Sequence, residues 1–172
     1  MAGDGNRSFQ RYPVMSWGAE ALVMGHLMRR NILTFKAPPN NEGYDLICLH
    51  PDPRMRTRQL RVQVKSRYAT DCDRGFPVKK STLDAFDYLV VVFLNVGYFF
   101  GRSKRHSTRE GARAPEFFTF PRSFIKKHHD DSTSWEKVRT RGLDIERYRD
   151  ESGFEYITRR LKIPYPEKTR AS

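Results

Sequence analysis

Three residues in two short apolar segments have types suited to phosphate chemistry: Asp45 in "GYDLICL", and Gln63 and Lys65 in "LRVQVKS". Asp45 offers an anionic oxygen and the Gln63 amide a neutral carbonyl oxygen, the hard donors that Mg²⁺ prefers. Lys65 adds a cation able to hold a phosphate, orient or help activate an attacking water, and offset developing negative charge. Glu20, in "SWGAEALVMGHLMRR", supplies a further carboxylate that can bind a metal directly or through water. Together the four form a set suited to phosphodiester hydrolysis.

Their positions follow from the periodicity of the elements that carry them. In a strand over "LRVQVKS", Leu60, Val62 and Val64 share one face while Arg61, Gln63 and Lys65 share the other. In "YDLICL", Asp45 falls on the side of Ile47 and Leu49, close to the strand end. The linking segment "HPDPRMRTRQ" has the Pro and Asp of a turn, so the two strands are expected to form an antiparallel hairpin that brings Asp45 near Gln63 and Lys65. In a helix over Trp17 to Arg30, with Ser16 as cap, Trp17, Val23, Met24, Leu27 and Met28 form one broad apolar face with Glu20 in its middle. A carboxylate there must regain its lost hydration from a partner, a metal or a proton. Each residue also has a plainer reading: Glu20 paired with a core Arg or Lys, or set at the edge of the stripe, and Gln63 and Lys65 on an ordinary polar sheet face.

The remaining elements suggest one α/β or mixed α+β domain spanning 1–172, with loose tails at about 1–12 and 165–172. A first strand is expected near Ile32 to Phe35, and "YLVVVFL" from Tyr88 reads as a central strand covered on both faces. Shorter strands are expected at Tyr98 to Phe100 and Phe117 to Phe120, and a helix at Arg122 to His128. A last helix starts at "SGFE", where Ser152 and Glu155 have capping-box spacing, and ends by Pro164. No apolar run is long enough to span a membrane, and the start shows no apolar signal region. Cys48 and Cys72 form neither a disulfide framework nor a CxxC pair and fit a reducing, cytoplasmic setting.

At this point the chain resembles the PD-(D/E)xK nuclease superfamily, whose pattern is an acid on the first helix, an Asp opening a strand, and an acid two residues before a Lys on the next strand. Glu20, Asp45, Gln63 and Lys65 match that order. The segments "GAEALVMGHLMRRNILTF", "GYDLI", "VQVKS", "FDYLVVVFL" and "FFTFPRSF" look like the compact branch that includes homing endonucleases and Holliday junction resolvases. The resemblance covers roughly Ser16 to His128. It implies a restriction-endonuclease-like core, a central mixed sheet flanked by helices, and a Mg²⁺-dependent endonuclease in which Mn²⁺ can substitute. Glu20, Asp45 and Gln63 would then hold the metal, with Lys65 as base helper or phosphate clamp. A dimer or higher homo-oligomer is implied as well, because two DNA strands need two sites. Tyr44 stands where the family has a non-ligating Pro, and Gln63 replaces the second acid, a change similar to what the homing-endonuclease branch uses. Because Gln brings no charge, the alternative is a catalytically inactive nucleic-acid-binding domain with a nuclease-like fold.

The charge balance favours a polyanionic partner. Lys plus Arg number 32 against 20 Asp plus Glu, giving a formal charge of +12 and a field that attracts nucleic acid, here DNA. Arg54, Arg56 and Arg58 in the hairpin turn, expected beside the proposed site, then Arg67, Lys79 and Lys80 after the second strand of the pair, are the candidate phosphate contacts. A second basic loop runs from Gly101 to Arg113. "HHDD" at His128 to Asp131 has no companion ligand cluster and reads as a solvated helix end, while Trp135 reads as core. A basic structural or protein-interaction domain is the third reading. No P-loop, GxSxG or GxGxxG is present.

Overall fold

The computed structural model describes residues 14–39, 41–56, 58–67, 75–96 and 113–164. The expected strand at 98–100, both tails, Cys72 and nearly all of the 101–113 loop lie outside these residues. Elements run in the order α1 (Val14–Met28), β1 (Leu33–Lys36), β2 (Leu46–Leu49), β3 (Leu60–Arg67), β4 (Gly75–Pro77), β5 (Tyr88–Phe93), β6 (Glu116–Pro121), α2 (Arg122–Lys127), β7 (His129–Asp130), β8 (Lys137–Arg139) and α3 (Asp150–Arg160).

Five strands form a mixed sheet in the order β1-β2-β3-β5-β6. Only β3 and β5 run parallel within it, paired from Val62 with Tyr88 to Arg67 with Phe93; the β1–β2, β2–β3 and β5–β6 pairs are antiparallel. β5 is buried along its whole length, as its unbroken β-branched run requires of a strand covered on both faces. One cover consists of α1 and α3, whose Ala19, Val23, Leu27, Phe154, Ile157 and Leu161 pack on Val62, Val64, Val90 and Val92. The other is built by Phe76, Phe86, Phe124, Ile125 and Val138, against Leu89, Val91 and Phe93. The architecture is therefore a mixed α+β domain with a central mixed sheet flanked by helices. Among the described residues no helix is long and apolar enough to cross a membrane.

One sheet is added to the expected fold and two expected caps are corrected. A separate three-stranded sheet, β4-β8-β7, had no sequence signal because its strands span only two or three residues each. Ser16 does not cap α1, which is already helical at Val14. Ser152 does not cap α3 either: the helix starts at Asp150 with no side-chain cap. Asp150 instead takes a left-handed φ of 42° and its Oδ1 accepts the Phe117 N–H at 3.0 Å. The end of α3 is thus pinned to β6, and tertiary contact replaces the local capping box. Gly153 lets the first turn of α3 fit between the preceding segment and β6, since a Cβ there would lie 2.1 Å from the Tyr148 carbonyl oxygen and 3.2 Å from the Thr119 Cβ.

Candidate active site

Asp45 grips β3 on both sides of Gln63. Its backbone N–H donates to the Val62 carbonyl at 2.9 Å, and its side-chain Oδ2 accepts the Val64 N–H at 2.6 Å. The carboxylate thus replaces a main-chain acceptor just before β2 begins, while the Asp45 carbonyl takes the Ala37 N–H at 2.8 Å. Gly43 makes this path possible. It has a φ of +93°, and a Cβ on it would sit 2.4 Å from the Ala85 Cβ; glycine alone tolerates both conditions without strain. Asn41 secures the same loop by donating from Nδ2 to the Tyr44 carbonyl at 2.7 Å.

Alternation along β3 gives the next level of the site. Val62 and Val64 enter the core beneath α1, so Gln63 and Lys65 point to the opposite face, where both line a pocket of about 460 Å³. Gln63 is 9% exposed, and its Oε1 is buried with no hydrogen-bond partner. An unpaired buried carbonyl is costly enough to need a reason. Burial pushes the Asp45 carboxyl above its ordinary value, and the charge of Glu20 pushes the same way, against the Val64 N–H, Lys65 and Lys36. Burial lowers Lys65, helped by Arg67 and opposed by Asp45. Neither Asp45 nor Lys65 has an ion-pair partner within 4.0 Å among the described residues.

Glu20 reaches the same neighbourhood by a different route from the one expected. The buried line of α1 is Ala19, Val23 and Leu27, whereas Trp17 and Met28 are 55% and 47% exposed. Glu20 therefore lies on the margin of the stripe, not in its middle. It pairs with Lys36 at 2.8 Å and remains close enough to Asp45 to raise its carboxyl electrostatically. Lys36, the last residue of β1, was missed; its only signal was a charge directly after an apolar strand pattern.

The proposed nucleic-acid contacts divide. Arg54, Arg56 and Arg58 do not lie beside the site. The turn that carries them precedes Leu60, roughly 16 Å along β3 from Lys65 at about 3.3 Å per residue. Arg54 is held by Asp52 at 2.9 Å, Arg58 faces Asp87 at 3.5 Å, and Arg56 is exposed. Arg67 sits at the site end of β3, yet it donates to the Gly75 carbonyl and lies 5.0 Å over the Phe76 ring, which joins β3 to β4. Lys79 lines the pocket, and Lys80 pairs with Asp131 at 2.8 Å. Trp135 is not core: it is 48% exposed and forms part of the pocket wall. Its signal was a tryptophan within the polar run "DDSTSWEK", outside any apolar period. In the "HHDD" segment, His129 Nε2 lies 2.8 Å from the Val78 carbonyl.

Could these residues hold a cation? Among the described residues no group of three His, Cys, Asp or Glu is arranged to bind a metal, so neither a His/Cys site nor a three-carboxylate site is present there. The donors at hand are the Asp45 carboxylate and the orphaned Gln63 carbonyl, with Glu20 nearby. Oxygen-only donors with few carboxylates suit Mg²⁺, which commonly takes one or two carboxylates and completes its shell with water and substrate phosphate. The donor set fits the ion.

No family model matches the chain, and no curated protein matches it. Among solved structures it is similar to a bacterial homing endonuclease, I-Ssp6803I, at 14% identity and a TM-score of 0.44 over 86% of this chain and 88% of that one.

Proposed function

We propose that the protein is a metal-dependent endonuclease of the PD-(D/E)xK type that hydrolyses phosphodiester bonds in DNA. The observation that carries this reading is the buried, unpartnered Gln63 carbonyl on the strand position that Asp45 brackets, with an Asp45 carboxylate that burial and Glu20 disfavour and that Lys65 and Lys36 offset only from a distance. Two adjacent acceptors of that kind are unfavourable in isolation and become favourable around a divalent cation. Asp45 and Gln63 would hold the ion, and Glu20 would add negative potential from the margin of α1. When bound, Mg²⁺ or Mn²⁺ polarises the phosphate and lowers the pKa of a coordinated water.

The chain's own residues do the rest. Lys65 approaches a bound phosphate from the same strand face as Gln63; burial has already weakened its hold on its proton, so it can orient and help deprotonate the attacking water or donate to a phosphate oxygen. The Val64 N–H fixes one Asp45 oxygen and leaves the other for the metal. The formal charge of +12 draws the DNA backbone towards the molecule. A homo-oligomer with two such sites would cut both strands.

The deciding experiment compares the native chain with Lys65→Ala on supercoiled plasmid at low salt with Mg²⁺ or Mn²⁺. Metal-dependent nicking that vanishes in the variant is the expected result. Salt-sensitive DNA binding without cutting, indifferent to metal and to Asp45→Ala, would replace the enzyme by the inactive binding domain.

A further inference from the structure

The pocket beside Gln63 and Lys65 is larger than a phosphate and a hydrated ion require. Its volume, about 460 Å³, falls in the range of roughly 300–1,000 Å³ typical of small-molecule sites. Lys79 and Glu42 also line it, and Trp135, on the connection between β7 and β8, forms part of the wall. Nearly half of Trp135 is open to solvent, at 48%. The buried Lys137 places its ammonium over the indole, 4.5 Å from the ring centroid, and donates to the Trp135 carbonyl at 3.4 Å. The following residue ties the wall down: the Glu136 carbonyl accepts the Val78 N–H at 3.2 Å, and its carboxylate accepts the Lys80 N–H. The ring is thus a supported aromatic platform, backed by Lys137 and about half open to solvent.

A ligand for this space needs a flat, partly apolar body joined to a phosphate that can reach Lys65. A nucleotide has both parts. Bases within a continuous duplex are stacked on their neighbours and have no face to offer a side chain in a pocket; a base becomes available once it leaves the stack. Aromatic side chains then hold it with little regard for sequence, because every base presents a π face.

We propose that the Trp135 pocket receives an unstacked nucleobase beside the phosphate held at Lys65, so that the preferred substrate is DNA containing an unpaired or extruded nucleotide. The inference rests on the nuclease reading for its substrate, and Lys79 is placed to meet a flanking phosphate or a base carbonyl.

The test measures binding in Ca²⁺ of two short duplexes of equal length, one fully paired and one with a single bulged adenosine, to the native chain, Trp135→Ala and Trp135→Phe. The native chain should favour the bulged duplex. Trp135→Ala should lose roughly tenfold in affinity for it, the size of one base–aromatic stack, with little change for the paired duplex; Trp135→Phe should restore most of the loss. Because the chain has only two tryptophans, Trp17→Phe leaves Trp135 as the sole indole, whose fluorescence should be quenched by the bulged duplex alone. Equal loss for both duplexes, no loss, or no selective quenching overturns the inference. Plasmid cutting that depends on Lys65 would then leave the nuclease reading standing. Trp135-dependent selectivity without any cutting would instead keep the nucleotide pocket and remove the nuclease reading.

Discussion

The two ends of β3 treat charge in opposite ways. At the end where the strand begins, Asp87 accepts the Arg61 N–H at 2.9 Å and faces Arg58, Arg61 and Arg122 at 3.5 to 3.7 Å. Asp84 beside it pairs with Lys126 at 2.7 Å. Every acid there has a cation. At the other end, Asp45 receives one backbone N–H, Gln63 holds an orphaned carbonyl, and burial lowers the affinity of Lys65 for its proton. The first cluster closes the edges of β3, β5 and α2. The second leaves polar groups unfavourably placed, and such placement persists where a ligand relieves it. Residue types alone do not separate the two, since both contain Asp and basic side chains on the same strands. Satisfaction of the charges separates them.

Opposite responses to substitution are therefore expected. The largest effect is on turnover: Lys65→Ala and Asp45→Asn should each lower metal-dependent cleavage by about 10²-fold or more, measured as initial nicking rates, while circular dichroism stays unchanged. Asp87→Ala should leave the chemistry of any residual folded protein intact and destabilise the fold by about 2 kcal/mol, because three cations and a partly buried N–H lose their acceptor. Denaturant titration would show this, and a Asp87→Ala protein as stable as the native chain would erase the distinction between the two ends.

Smaller effects sharpen the contrast. Mg²⁺ at millimolar concentration should raise the melting temperature of the native chain by a few degrees, through preferential binding to the folded state, and should not do so for Asp45→Asn. Asn is the informative replacement because its side-chain oxygen can still accept the Val64 N–H. The smallest effect concerns pH in the presence of a chelator. A carboxyl whose folded pKa is raised contributes stability that is fully present below its unfolded pKa, about 4, and is lost as the pH rises through its folded value. The native chain should thus lose stability relative to Asp45→Asn as the pH rises above about 4. A stability difference that stays constant with pH would mean that Asp45 carries no such penalty.

Much of this site was legible in the residues themselves. Alternation in "LRVQVKS" was enough to put Gln63 and Lys65 on one face, and the hairpin turn brought Asp45 to them. Glu20 was placed near the site for an incomplete reason. Helical periodicity marks which residues share a face, but whether Trp17 and Met28 are covered depends on what packs against α1, and among the described residues both stay about half exposed. The turn arginines were assigned to the wrong end of the hairpin. Their distance from Asp45 in sequence is short, yet the antiparallel pair puts the turn beyond Leu60 and the site beside Val64, with the intervening strand between them.

By itself, the sequence determined the strand faces, the fully covered β5, the basic charge and the composition of the Asp45, Gln63 and Lys65 set, because these depend on local period and residue type. Tertiary structure alone decided that Lys36 answers Glu20, that Asp150 gives its side chain to β6, and that Trp135 stands open beside Lys65. Those outcomes depend on which segments meet across long sequence separations. The missed sheet of β4, β8 and β7 shows the reason most clearly: strands of two or three residues carry no period of their own and exist only because distant partners supply their hydrogen bonds.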